Sequence, residues 1–375
     1  MSLRDLIAER IRDAGPLTFA AYMELALYHP TLGYYAREAR RSGRTGDFFT
    51  SVDVGPPFGR LLAVQFAEMW ELAGAREASS FDLVEAGAGS GRLARDVLDA
   101  AAAADTTPFY DAIRLHLVER SRAARDAQRT VLGPHAGKLT TSGADLPDGL
   151  TGIIFANELL DALPVHRVTM TADGLEEVYV DLDLHDDRLV ERPDRPSTPA
   201  LAGYLEQAGV TLPPGADAEI NLAAVGWMRQ AATCLRRGFV VLIDYGDDAV
   251  RLYGPMRRRG TLAAYRRHTQ EDAPAGWLNQ PGNWDLTSHM DLTSVTRCAE
   301  QHGLRCLGAL DQTYFLLGLL SAEDLGNGMD GVKQRLAVKT LLMPGGLGST
   351  HKVLLFGKAV GTPALRGCSY QERLT

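Results

Sequence analysis

The sequence predicts an α/β fold: a Rossmann-like core with a helical amino-terminal segment and inserted β/loop segments. Three observations carry this. The stretch Phe81-Asp-Leu-Val-Glu-Ala-Gly-Ala-Gly-Ser-Gly-Arg-Leu-Ala-Arg-Asp-Val-Leu98 passes from an apolar strand through a glycine turn into an amphipathic helix. Nucleotide-binding α/β domains open this way, with the ligand at the carboxyl end of the first strand. Strand-like and helix-like runs then alternate, which implies a parallel sheet with helices on both faces. Polar residues appear abruptly where the apolar strands stop, on the edge that carries the glycine turn.

Residues 1–80 read as a helical cap or lid region. Ser2 can cap a first helix, and Thr18 to Tyr28 form a second that His29-Pro30 stops. Residues 31–57 are rich in Gly, Arg, Ser and aromatics and read as a functional loop. Helical periodicity resumes from Phe58 to Leu72. The core, 81–375, has strands predicted at 81–86, 114–119, 152–156 and 239–244, and helices at 91–103, 121–131 and 219–236. Insertions fall at about 166–215 and 247–300. The first holds an antiparallel strand over 175–184 and a proline-rich linker from Pro193 to Pro214. The apolar runs 315–320 and 351–356 are two more strand candidates with a helix between them.

The 375 residues, 45% hydrophobic and 23% charged, suit a soluble globular protein with a sizeable core. A net charge of −8 argues against general nucleic-acid binding. The clusters Arg37/Arg40/Arg41/Arg44 and Arg257/Arg258/Arg259 with Arg266/Arg267 read as solvated loops, or as a dock for an acidic partner protein. Cys234, Cys298, Cys306 and Cys368 lack metal-ligand spacing and read as small buried hydrophobes in a reduced compartment. With no secretory leader and no run of 18 apolar residues, a cytoplasmic protein that does not enter a membrane is expected.

The glycines select the nucleotide. Gly87, Gly89 and Gly91 follow Glu85 as E-x-G-x-G-x-G, and a dinucleotide fingerprint would need glycine or alanine where Arg92 stands. S-adenosylmethionine (SAM) needs a flat glycine turn beside its methionine moiety and an acid for its ammonium or ribose, so the stretch fits SAM better. Glu119 ends the second strand and can take both ribose hydroxyls. It lies 28 positions past Gly91, beyond the usual spacing of roughly 20 residues.

Asn157 and Glu158 follow the third strand on the same edge and should face the methyl donor. Asp161 would sit near Glu158 if the chain turns helical there. Two such carboxylates suit a guanidinium. Asp244 closes the fourth strand, where a buried acid needs a partner, and Tyr245 follows it. Asp285 and His289 suggest substrate positioning or helix capping rather than a metal site. Asp47, Thr50 and Ser51 could cover the cofactor as a lid; ordinary turn and capping chemistry is the alternative.

These segments together resemble the MidA family of SAM-dependent methyltransferases, along nearly the whole chain. The resemblance rests on Tyr28-His-Pro-Thr-Leu-Gly-Tyr-Tyr35, Gly46-Asp-Phe-Phe-Thr-Ser51, Phe58-Gly59, Glu85-Ala-Gly-Ala-Gly-Ser-Gly91, Asn157-Glu-Leu-Leu-Asp-Ala-Leu-Pro-Val-His166, Leu242-Ile-Asp-Tyr-Gly246, Gly260-Thr-Leu-Ala-Ala-Tyr265 and Asp285-Leu-Thr-Ser-His289. The chain departs from the family at Val52-Asp53-Val54, usually Pro-Glu-Ile, and at Ala88, usually proline. The match weakens past Ser321.

The resemblance implies a class I methyltransferase core and an acceptor arginine on a protein, since a mitochondrial member dimethylates an arginine of a complex I subunit. The site expectation is then Glu158, Asp161 and Asp244 as catalytic residues. Glu85, Gly87, Gly89, Gly91, Glu119, Asn157, Asp47 and Thr50 would bind SAM, with no metal. A homodimer is left open. The rival readings are a nicotinamide-dependent oxidoreductase and a non-catalytic SAM-binding assembly factor.

Overall fold

The computed structural model describes residues 1–37, 50–75, 80–103, 108–183, 185–266, 269–271, 274–321, 328–343 and 346–371. The chain divides into two compact units. One comprises Phe49–Leu159, Met228–Tyr245 and Cys298–Thr375; the other comprises Met1–Phe48, Leu160–Trp227 and Gly246–Arg297. The sequence expectation had placed everything before residue 80 in one cap. Residues 50–75 belong instead with the sheet, because Phe58, Leu61, Leu62, Phe66, Met69 and Trp70 bury one face of helix Pro56–Leu72 in its core.

The first unit is built on a sheet whose main path has seven strands. In spatial order these are Arg305–Asp311, His351–Lys358, Leu235–Asp247, Leu150–Asn157, Phe81–Ala86, Ile113–Val118 and Leu139–Gly143. The five from Leu235–Asp247 to Leu139–Gly143 are mutually parallel. His351–Lys358 runs antiparallel to both of its neighbours, so the sheet is mixed rather than wholly parallel as expected. The winding reverses between Phe81–Ala86 and Leu150–Asn157. Such a switch point opens a crevice at the carboxyl ends of the two strands, where α/β proteins bind their ligands.

The four expected core strands form, with ends that differ by a few residues. The run 315–320 does not. It lies in helix Gln312–Leu319, with Phe315, Leu316 and Leu319 buried. Six consecutive apolar residues show no period that separates a buried helix from a buried strand.

The second unit holds helices Leu3–Ala14 and Phe19–Tyr28 and a five-stranded antiparallel sheet. Ser2 caps the first helix through a reciprocal pair with Asp5, as its sequence suggested. The single strand expected over 175–184 is the centre of a larger array: His166–Thr171, Gly174–Leu182 and Leu189–Asp194 pair in succession. Helix Ala200–Ala208 occupies the stretch expected as linker. Leu201, Tyr204, Leu205 and Ala208 recur at helical spacing and are buried, and Gly209 ends the helix in the left-handed conformation.

Helices Pro56–Leu72 and Arg92–Ala103 approach closely at Gly59. A Cβ there would lie 2.6 Å from Asp96 Cβ and 3.0 Å from its backbone carbonyl carbon. Gly59→Val should therefore cost at least about 2 kcal/mol, because overpacking exceeds any gain in helix propensity. Urea unfolding checks this, and an unchanged midpoint would contradict the packing described.

Candidate functional site at the carboxyl edge of the sheet

The glycine turn occupies one side of the switch point. Gly87, Gly89 and Gly91 have φ of 71°, 51° and 83°, conformations that side chains disfavour. The turn is held from outside itself. Glu119 accepts the amide of Gly89 on one carboxylate oxygen at 2.8 Å and the amide of Ser121 on the other at 2.7 Å. Gln128, fully buried, donates to the Gly89 carbonyl at 2.9 Å and accepts from Ser142 Oγ at 2.6 Å. Gln128 was missed in the sequence. Its signal was a polar residue on the buried Ala124–Gln128–Leu132 stripe of an otherwise regular helix.

Glu85 stands beneath the turn. One of its oxygens accepts the Ala94 amide at 3.0 Å, in the first turn of helix Arg92–Ala103. Burial pushes its carboxyl up to about 8; the Ala94 bond opposes this, and the charges of Glu119 and Asp96 add to it. Arg92, the residue that breaks the dinucleotide pattern, pairs with Asp53 at 2.9 Å and donates to the Val52 carbonyl. Asp53 also accepts the amide and hydroxyl of Thr50. Thr50 is thus a cap of the short helix Ser51–Val54, the alternative raised for it. Asp47 lies outside the described residues.

The other side of the switch point carries Asn157 and Glu158. The chain does not turn helical there. Glu158 is left-handed, with φ 50°, and a turn follows. The helical pairing expected for Glu158 and Asp161 therefore does not form, and Asp161 belongs to the second unit. Two hydrogen bonds and one ion-pair contact, made by a His351 nitrogen that has no hydrogen-bond partner, hold Glu158. Its amide donates to the Ile243 carbonyl at 2.9 Å, Asn157 Nδ2 donates to its Oε1 at 3.1 Å, and His351 Nε2 lies 3.4 Å from that oxygen.

Leu159 joins the two sides. A Cβ on Gly87 would sit 3.1 Å from its Cδ1, and its amide donates to Asp244 Oδ2 at 3.1 Å. The second Asp244 oxygen accepts the Tyr245 amide at 2.8 Å. Asp244 therefore has partners of the kind a buried acid needs, two of them backbone amides. His351 had no signal in the sequence beyond opening an apolar strand.

In the second unit, Tyr35 Oη donates to Asp285 at 2.9 Å, and the Ser288 amide donates to the Asp161 carbonyl at 2.9 Å. Arg257 reaches Asp247 and His289, while Arg258 and Arg266 bond to the Pro214 carbonyl and Gln280. Arg258 and Arg259 are exposed, as the solvated-loop reading expects, and Arg267, like Arg40, Arg41 and Arg44, lies outside the described residues.

Two features of the first unit fit SAM. The space over Gly89 is open, with nothing within 4 Å of a Cβ built there. Asn157 Oδ1 is buried at the strand end with no hydrogen-bond partner.

Comparison with known proteins decides the family. Residues 61–310 match the model of a family of S-adenosyl-L-methionine-dependent methyltransferases. The chain belongs to this family. It is 32% identical to the mitochondrial protein arginine methyltransferase NDUFAF7 of Rattus norvegicus, over 82% of this chain and 71% of that protein. The Homo sapiens counterpart is 30% identical, over 82% and 70%. A protein from Burkholderia thailandensis, solved with S-adenosyl-homocysteine bound, superposes with a TM-score of 0.84 at 28% identity, covering 98% of this chain and 94% of that one.

The methyltransferase therefore has the class I-like core that its sequence resemblance implied, and SAM is its cofactor. The cytoplasmic expectation does not stand, because these curated relatives are mitochondrial.

Glu85 supplies a test that needs no acceptor. Its folded carboxyl titrates near 8, above its ordinary 4.5. The stability that goes with protonated Glu85 is present in full below 4.5 and is lost as pH rises through 8. Glu85→Gln should match the parent near pH 4 and exceed it by a few kcal/mol at pH 8.5. Urea titrations at both pH values check this; a difference independent of pH would contradict it.

Proposed function

We propose that the methyltransferase modifies a guanidinium nitrogen of an arginine side chain in a protein. The observation that carries this reading is Glu158, a carboxylate of 12% side-chain exposure held on the switch-point edge, one residue from the orphaned oxygen of Asn157. The relatives named protein arginine methyltransferase support the same acceptor. A carboxylate matches a planar cation better than it matches a neutral hydroxyl or a carbon nucleophile.

SAM, when bound, supplies an electrophilic sulfonium methyl group. The chain's own residues do the rest. Glu119 uses one lone pair on each oxygen for Gly89 and Ser121, and its remaining acceptor capacity would take the ribose hydroxyls. Asn157 Oδ1 would accept from the methionine ammonium. The turn of Gly87, Gly89 and Gly91 lets the backbone approach, with Glu85 bracing it against the helix. Glu158 would hold the acceptor N–H groups, set the nitrogen in line and take the proton that the nitrogen releases. Asp244 positions the Leu159 loop through backbone amides rather than touching the acceptor. Asp161 has no contact assigned to it in this scheme, and Asp47 and Thr50 are not needed for it.

Glu119→Ala should weaken SAM binding by roughly 1.5–3 kcal/mol, the scale of hydrogen bonds to a charged group. Calorimetry reads this directly, and parent-like affinity would refute the ribose role. Glu158→Gln should keep SAM affinity but lose methyl transfer, since it removes charge at nearly constant shape. The assay is mass spectrometry of lysate proteins incubated with enzyme and isotopically labelled SAM. Label on arginine that disappears with Glu158→Gln supports the reading; label on small molecules or on other residues overturns the acceptor. SAM binding with no transfer at all would favour the assembly-factor alternative.

A further inference from the structure

Among the described residues, His351 is the one fully buried histidine ring that meets this edge. It begins the antiparallel strand His351–Lys358, and its register partner is Tyr245 on Leu235–Asp247. The Tyr245 ring lies against it, with centroids 4.0 Å apart. His351 Nδ1 is 2.9 Å from the Leu347 carbonyl, which can only accept, so Nδ1 carries a proton. Nε2 lies 3.4 Å from Glu158 Oε1. That nitrogen is buried with no hydrogen-bond partner, and a carboxylate at that distance favours a second ring proton on it.

We propose that His351 is a positioning residue: as an imidazolium it clamps the Glu158 carboxylate in its left-handed backbone setting and so orients it toward the acceptor. The proposal rests on the acceptor role given to Glu158 above. The setting needs such a clamp. A non-glycine residue at φ 50° persists only where its surroundings over-determine it. Here the Ile243 carbonyl fixes the backbone, while Asn157 and His351 fix the side chain.

The titratable groups around the ring are Glu158 at the end of Leu150–Asn157, and Asp244 and Tyr245 on Leu235–Asp247. Burial alone would lower the imidazole's pKa. The contact and charge of Glu158, the charge of Asp244 and the Leu347 carbonyl outweigh burial and raise it. The imidazolium, and with it the clamp, is present in full below the ordinary 6.5 and is lost as pH rises through that raised value.

Two measurements on the full chain separate this proposal from the reading it rests on. Histidine side-chain 15N NMR, with the His351 signals assigned by His351→Gln, follows both ring nitrogens against pH in the parent and in Glu158→Gln. His351 should keep its second proton to a distinctly higher pH in the parent than in the variant. The same titration in both would overturn the clamp, whatever the enzyme methylates. Where His351→Gln does not fold, His351→Asn gives the assignment.

The second measurement is the pH profile of methyl transfer from labelled SAM to lysate protein. The parent rate should fall as the imidazolium titrates. His351→Gln should lose that limb and lower kcat about tenfold while leaving SAM affinity within a factor of about two. A parent-like rate and profile would overturn the proposal. Absence of transfer in the parent, with the NMR shift intact, would overturn the acceptor reading but not the clamp.

Discussion

One carboxylate makes the cofactor edge possible. Glu119 takes the amide of Gly89 from the glycine turn and the amide of Ser121 from the start of the next helix. Without it, two backbone donors at the switch point would face each other across a left-handed loop with no acceptor between them. Gln128 supports the same turn through the Gly89 carbonyl. Both donors and acceptors of the turn's middle residue are thus satisfied by side chains from the neighbouring strand–helix unit. The turn is held by the protein's own groups, and the space over Gly89 is open.

The two ends of strand Phe81–Ala86 treat a buried acid in opposite ways. Asp82, near the start, meets Arg114 at 2.6 Å, His116 at 3.1 Å and the Thr151 amide at 2.9 Å. Burial pushes its carboxyl up, but these three partners outweigh burial and hold it below the ordinary value. Glu85, near the end, has one backbone donor and acidic neighbours, and its carboxyl rises to about 8. Asp82 is neutralised structure. Glu85 has one hydrogen-bond donor and Glu119 and Asp96 as acidic neighbours, a setting that nearby positive charge relieves.

The sequence showed the switch-point edge but not its bracing. A glycine pattern after an apolar strand marks a ligand turn because side chains disfavour φ near 50–80°. Asn157, Glu158 and Asp244 were legible because polarity begins abruptly at a strand end. The residues that hold these positions come from distant parts of the chain. His351 lies 193 positions from Glu158, and no local pattern announces that pairing. The apolar run 315–320 misled because it is apolar throughout, even at the exposed Leu317, so the sequence carries no periodicity to read. Helix Ala200–Ala208 was hidden between prolines although its four buried residues keep helical spacing. The Glu158–Asp161 pair failed for a local reason: the chain leaves the strand through a left-handed residue, which no propensity for glutamate foretells.

The central claim is that this edge is shaped for a sulfonium cofactor and not for a pyrophosphate. Calorimetry of the free full-length chain against S-adenosylhomocysteine and against NAD, run side by side, tests it most directly. The account predicts saturable one-to-one binding of S-adenosylhomocysteine and no heat of binding with NAD. Saturable binding of NAD, or none of S-adenosylhomocysteine by the folded protein, would contradict it.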